Sequence, residues 1–206
     1  MIIAVTNCIA YGLNIDTDRL YRKKIHHSLF TEGLLQVLKG KAVYPKGADE
    51  ERYRFDSIDI NEVEAIIWSP FIDQAGYYPN QCTWNREIYP YNDELSAPKY
   101  GLVGHASLET VYLWWKELDR ITKTIPKRVM VIYPSTFLSK SDSSLGIRQW
   151  YVDRIKESDK VALEIFKDWK IVTIENPVLD ESKAWQHFNH ECRKPMLAEI
   201  ENYING

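Results

Sequence analysis

The chain of 206 residues has few cysteines: Cys8, Cys82 and Cys192 are odd in number, widely spaced, and form no C-x-x-C pair. This pattern excludes a disulfide framework and a cysteine zinc site, and it suits a reducing compartment. Long apolar runs are also missing. The opening Met1-Ile2-Ile3-Ala4-Val5 is too short for a signal sequence and lacks its basic flank. No later run approaches the roughly 20 apolar residues of a membrane span, so a soluble, cytoplasmic protein with no membrane partner is expected. An excess of one charge is absent as well, with 26 Lys and Arg against 29 Asp and Glu and a net charge of -3. Bulk electrostatics therefore attract no polyanion, and nucleic acid is not an expected partner. The 9 glycines are scattered, and neither G-x-x-x-x-G-K-[ST] nor G-x-G-x-x-G occurs, which disfavours a P-loop kinase and a standard dinucleotide dehydrogenase.

What is present is an ordinary globular composition, 45% hydrophobic and 27% charged, with 7 Trp and 13 Tyr. The length favours a single α/β domain spanning the whole chain. Ile2 to Thr6 reads as a strand, followed by a polar turn and a helical segment from about Asp18 that Gly33 interrupts. Lys41 to Pro45 reads as a second strand, and Lys46 to Phe55 as an exposed loop. Ala65 to Ser69 is uniformly apolar up to its last residue, as expected of a central strand buried on both faces, and Pro70 ends it. Residues 71–104 are rich in Pro, Tyr, Trp and Asn and too long for an ordinary connection of about 4 to 6 residues, so they read as an aromatic insertion. Beyond it come a helical stripe (Leu108, Val111, Tyr112, Trp115, Leu118) and a strand from Arg128 to Pro134. An amphipathic helix through Ile155, Ala162 and Phe166, a strand from Ile171 to Ile174, and a last helix from about Ser182 to Tyr203 kinked at Pro195 complete the chain. This alternation predicts a three-layer α/β fold, a Rossmann- or flavodoxin-like parallel sheet whose ligands bind at the carboxyl ends of the strands.

Candidate chemistry is sparse. His187 and His190, with Glu191 and Cys192, put two imidazoles on one helical face, but no third ligand stands at proper spacing, so no metal is expected. His105 and Ser107 diverge on a helix, and without a G-x-S-x-G elbow a serine hydrolase is disfavoured. Arg148 and Arg154 follow a Ser-rich loop and suit either a bidentate anion clamp or a solvated helix face. Gly101 to Glu109 enters the helix that precedes the strand at Val129, which puts a carboxylate in a first helical turn at the mouth of the sheet. Glu109 there either faces a ligand or merely complements the helix macrodipole.

Two stretches carry a family likeness. The first strand, a helix ending in Gly40, Val43-Tyr44-Pro45, and Asp59 to Trp68 together resemble nucleoside 2-deoxyribosyltransferases and the related deoxynucleotide N-hydrolases. Gly104-His105-Ala106-Ser107-Leu108-Glu109 is similar to their segment carrying the catalytic glutamate. The resemblance covers residues 1–134. It departs where an aspartate of the family is Glu64, where small residues flanking the glutamate become Leu108 and Thr110, and across 72–100.

The resemblance implies cleavage or transfer of an N-glycosidic bond of a nucleoside or nucleotide, with no metal and no organic cofactor. Glu109 would attack the anomeric carbon or stabilise its positive charge, since the transition state resembles an oxocarbenium ion. Asp73 would hold sugar hydroxyls, Tyr77, Tyr78 or Trp84 would stack on the base, and Thr6, Asn7 and Tyr11 would line the mouth. His105 and Ser107 would border the ligand, and Arg148 would meet a phosphate. The alternative, from another functional class, is a nonenzymatic α/β module that binds or sequesters a nucleotide-like ligand without using Glu109. The aromatic insertion suits a homo-oligomer surface as well as a lid, which leaves the oligomeric state open.

Overall fold

The computed structural model describes residues 1–6, 10, 12–16, 18–21, 31–43, 55–74, 107–134, 149–178, 180 and 188–206. Its sheet has four strands, β1 (Ile2–Val5), β2 (Ala65–Trp68), β3 (Lys127–Ile132) and β4 (Lys170–Thr173), in the order β1-β2-β3-β4 and all parallel. Parallel neighbours need crossovers, and the described helices are α1 (Thr31–Leu38), α2 (Phe71–Gln74), α3 (Leu108–Ile121), α4 (Gln149–Ile165) and α5 (His190–Asn205).

Side chains alternate along each strand, so the sheet separates two apolar clusters. On one face Ile3, Val5, Ile66, Trp68 and Met130 meet Leu34 and Leu38 of α1, Val111 and Trp115 of α3, and Ala162 of α4. On the other face Ile2, Ala65, Ile67, Val129, Val131 and Val172 meet Met196, Leu197, Ile200 and Ile204 of α5. All four residues of β2 are fully buried. The expected three-layer α/β fold is the one observed.

The edge beyond β1 is closed by a short segment. The Ile2 N–H donates to the Arg19 carbonyl at 2.6 Å, the Tyr21 N–H donates to the Ile2 carbonyl at 2.8 Å, and Leu20 forms a parallel bridge with Ile2. Counting that bridge as a vestigial strand gives the flavodoxin-like order 2-1-3-4-5, with its reversal between β1 and β2. Right-handed crossovers account for the layers. The steps into β2, β3 and β4 run in one direction and put α1, α3 and α4 on one face, whereas the step from β1 to Leu20 runs the other way and leaves Ala10 and Ile15 beside α5.

Local chemistry sets the helix ends. Ser107 caps α3, its Oγ accepting from the Thr110 N–H at 3.3 Å, and Asn189 caps α5, accepting from the Glu191 N–H at 2.7 Å. Helix α1 stops in a Schellman motif: Gly40 N–H donates to Val37 O at 3.1 Å and Lys41 N–H to Gln36 O at 3.0 Å. Gly40 has φ of 80°, a left-handed conformation that side chains disfavour.

Several expected elements differ. Within the expected strand Lys41 to Pro45, Val43 pairs with Phe55 in an antiparallel bridge outside the four-stranded sheet, and Phe55, expected at the end of an exposed loop, is buried; residues 44–54 lie outside the described residues. Asp18 to Tyr21 form the edge turn, and the last described helix runs from His190 through Pro195 without ending there; residues 22–30 and 181–187, where the remaining expected helical segments fall, lie outside the described residues. The insertion begins with a helical turn, since Phe71–Gln74 form α2, while the rest of it lies outside the described residues.

Shortening Ile66, which is fully buried in the central ladder, is expected to cost about 2–5 kcal/mol of stability. Leu113→Ala, at a site 66% exposed, should stay within about 0.5 kcal/mol, and urea unfolding of both variants checks the contrast.

Candidate functional site

The strand order reverses between β1 and β2, so a crevice is expected beyond their carboxyl ends. Thr6 follows β1 and Ser69 follows β2. The Ser69 N–H donates to the Val5 carbonyl at 3.2 Å, which prolongs the ladder to the rim, and both Thr6 and Ser69 are fully buried. Beside them Phe71 stacks on Tyr133 with centroids 4.3 Å apart and planes 15° apart, and Tyr133 lies 5.0 Å from Phe188. These rings form a solid apolar base beneath the strand ends. Gly12, with φ of 100°, belongs to the loop after β1, and a Cβ there would meet His190 at the start of α5 at 3.7 Å.

Next to this rim, on the α3 side of the sheet, sits a buried polar cluster. Asp73 in α2 is only 2% exposed, and it accepts from the Thr31 N–H at 2.9 Å, the Thr31 hydroxyl at 2.6 Å and the Trp115 indole N–H at 2.6 Å. The Trp68 indole in turn donates to Thr31 Oγ1 at 2.8 Å. Thr31 is the first residue of α1, so its N–H is one of the donors that a helix start leaves unpaired, and Asp73 caps α1 from another element. Trp68 and Trp115 meet edge to face at 5.6 Å and an 80° interplanar angle, with the Phe166 ring 4.6 Å from Trp68.

Two effects oppose each other at Asp73. Burial disfavours the ion and pushes the carboxyl up to about 6, while the Thr31 and Trp115 donors and the Arg154 charge pull it back down. Arg154 of α4 is half-buried, so it reads as neither a fully solvated residue nor an exposed clamp. Tyr112 of α3 packs against Trp115 at 5.6 Å. Burial of its ring and the charge of Glu157 raise its phenol, and Arg154 partly offsets both.

The site residues read from sequence divide into three sets. Thr6 stands at the end of β1 but is closed off from solvent. Asp73, expected to hold a sugar, commits both of its oxygens to Thr31 and Trp115. Glu109 is in the first turn of α3 and is exposed, as is its capping neighbour Ser107. Glu109, Leu113, Lys116 and Arg120 recur at helical spacing and are all exposed, whereas Val111, Trp115 and Leu118 face the core. Glu109 therefore lies on the outward stripe of α3. Asn7, Tyr11, Tyr77, Tyr78, Trp84, His105 and Arg148 lie outside the described residues.

Among the described residues no group of three His, Cys, Asp or Glu side chains could hold a metal ion. No helix among them is long and apolar enough to cross a membrane. A depression of roughly 300 Å³, lined by Ile60 to Glu64, Thr124 and Pro126, lies at the opposite, amino-terminal end of the sheet. Glu64 there pairs with Arg19 at 3.1 Å and with the amino terminus at 3.4 Å, and the Arg19 hydrogen bond holds its carboxyl below the usual range.

Sequence reasoning missed Thr31, Trp68 and Trp115 as partners of Asp73. The available signal was coarse: an acid just after a buried strand, and a threonine opening an apolar helical run. Compared with known protein families, curated proteins and solved structures, the chain matches none.

Since the folded Asp73 carboxyl lies at about 6 against an ordinary 3.8, the native state binds its proton more tightly than the unfolded chain does. The stabilisation from this group is full below about pH 4 and is lost as pH rises through about 6. Relative to Asp73→Asn, the wild-type protein should gain about 1 kcal/mol between pH 7 and pH 5, read from urea unfolding at both pH values.

Proposed function

We propose that the protein binds a nucleoside or nucleotide at the carboxyl ends of β1 and β2, as a binding module of the α/β class. The observation that carries this reading is the reversal of strand order at β1, which has the parallel Leu20 bridge on one side and β2 on the other. In open parallel sheets such a reversal leaves a crevice, because the two flanking crossovers depart to opposite faces. Here Ala10 and Ile15, after β1, pack on the α5 face of the sheet, whereas the connection after β2 leads to α3 on the other face.

The ligand class comes from the sequence resemblance to nucleoside 2-deoxyribosyltransferases and deoxynucleotide N-hydrolases over residues 1–134. That likeness carries a second reading, cleavage or transfer of an N-glycosidic bond with Glu109 as the attacking or stabilising carboxylate. The place of Glu109 on the outward stripe of α3 favours binding over catalysis, because a nucleophile must come within about 3–3.5 Å of the carbon it attacks. On that outer face the carboxylate serves the amino end of α3, where a negative charge is worth about 0.3–1 kcal/mol.

A panel of nucleosides, deoxynucleotides and NAD, assayed for free base by chromatography and for binding by calorimetry, separates the readings. Saturable binding of one member without base release, unchanged in Glu109→Gln, is the expected outcome. Base release that disappears in Glu109→Gln would replace the binding reading with the enzymatic one. Absence of both binding and release across the panel would remove the nucleotide ligand altogether.

A further inference from the structure

The Asp73 cluster has a directional logic that the ligand reading does not use. Trp68 donates to Thr31 Oγ1, so the Thr31 hydroxyl proton is free to point at Asp73 Oδ2, which also receives the Trp115 N–H; Oδ1 receives the Thr31 N–H. Three donors converge on one carboxyl group. This is the pattern an ionised carboxylate satisfies, since it is an acceptor only. The grip joins α2 to α1 and α3 at the point where β2 ends. No cation touches the carboxylate among the described hydrogen bonds and ion pairs, and Arg154 of α4 acts on it through its field alone. Among the described residues, the other charged or titratable groups on the facing helices are the Tyr112 phenol of α3 and Glu157 of α4, whose charge acts on that phenol.

A proton arriving from solvent has few places to settle. On Oδ2 it would face the Thr31 hydroxyl at 2.6 Å and turn that contact around, with the carboxyl donating to Oγ1 and the threonine proton turning away. Oδ2 would then be a neutral hydroxyl and a poor acceptor for Trp115, because hydrogen bonds to an ionised group are about twice as strong as neutral ones. The Thr31 N–H would keep Oδ1, so α1 would remain capped while the tie to α3 weakened.

We propose that Asp73 is a proton-operated clasp, holding α3 to α2 through the Trp115 indole when ionised and loosening that one contact when protonated. The clasp is a local device: the fold persists in both states, and what changes is the tie between two elements at the rim of the sheet. It stands apart from the identity of any ligand. Burial supports a working range within mildly acidic conditions, since the carboxyl is pushed up to about 6.

The test is a pH titration of the ¹⁵N-labelled wild-type protein from 7.5 to 4.5, following the side-chain N–H signals of its 7 tryptophans. Trp115 and Trp68 are assigned with Trp115→Phe and Trp68→Phe. The Trp115 signal should move upfield with a midpoint near pH 6 and exchange with solvent at least about tenfold faster at pH 5 than its intrinsic pH dependence allows. The backbone N–H of Thr31 should keep its protection. In Asp73→Asn, which has nearly the same shape and no proton to gain, the Trp115 signal should stay fixed across the range. A Trp115 signal that is stationary in the wild type, or that begins to move only at the acid end of the range with the surface carboxylates, would overturn the clasp. So would a signal that still moves in Asp73→Asn. If that variant does not fold, the wild-type midpoint and exchange rates decide alone.

Discussion

β2 has no face in contact with water, and most of the architecture follows from that constraint. Ala65, Ile66, Ile67 and Trp68 are all fully buried, so both sides of the central ladder must be covered by other elements. A parallel sheet supplies its own cover, because each crossover lays a helix across a face. Handedness then distributes the helices, with α1, α3 and α4 on one face and α5 with the loop residues Ala10 and Ile15 on the other. β4 shows what happens where cover ends: Val172 is buried against α5, while Ile171 and Thr173 point outward and are exposed.

The same crowding that buries β2 also creates its one costly feature. Trp68 fills the space under α1 and α3 and carries an indole N–H into an apolar region, where an unpaired donor costs about 1–3 kcal/mol. Thr31 accepts that hydrogen bond and Asp73 satisfies Thr31 and Trp115 in turn, so the polar atoms form one chain inside an otherwise aromatic cluster. Burial outweighs the donors that favour the ion, and the net rise of the carboxyl is worth about 3 kcal/mol, so this arrangement does not maximise stability. It fixes the relative placement of α1, α2 and α3, because the carboxyl can meet its donors in only one arrangement of those helices.

Helix α3 illustrates how one periodic pattern decides between functional readings. Val111, Trp115 and Leu118 supply the buried stripe, and the 3.6-residue repeat then assigns every other position. Glu109 falls beside Leu113 and Lys116, on the outside. A carboxylate in a first helical turn at the right end of a sheet is a good catalytic candidate by position along the chain. Its rotation about the helix axis is a separate variable, fixed by which neighbours are buried.

The sequence by itself determined the layered α/β class, because uniformly apolar runs such as Ala65 to Trp68 and helical stripes such as Val111 to Leu118 have no other stable arrangement. It also pointed to the helix stop at Gly40, where a left-handed residue is needed, whereas the start at Ser107, where a hydroxyl caps, emerged only from the structure. Edges were less legible. Leu20 meets the sheet through a single bridge among the described residues, and one apolar residue carries no periodicity from which to read a strand. Only the tertiary structure decided what Asp73 does. Its partners Thr31 and Trp115 each lie 42 residues away along the chain, and no local pattern encodes which donors will converge on a buried acid. That convergence depends on three helices packing against one sheet, and hydrogen-bond geometry is set by where those elements meet in space and not by their spacing in sequence.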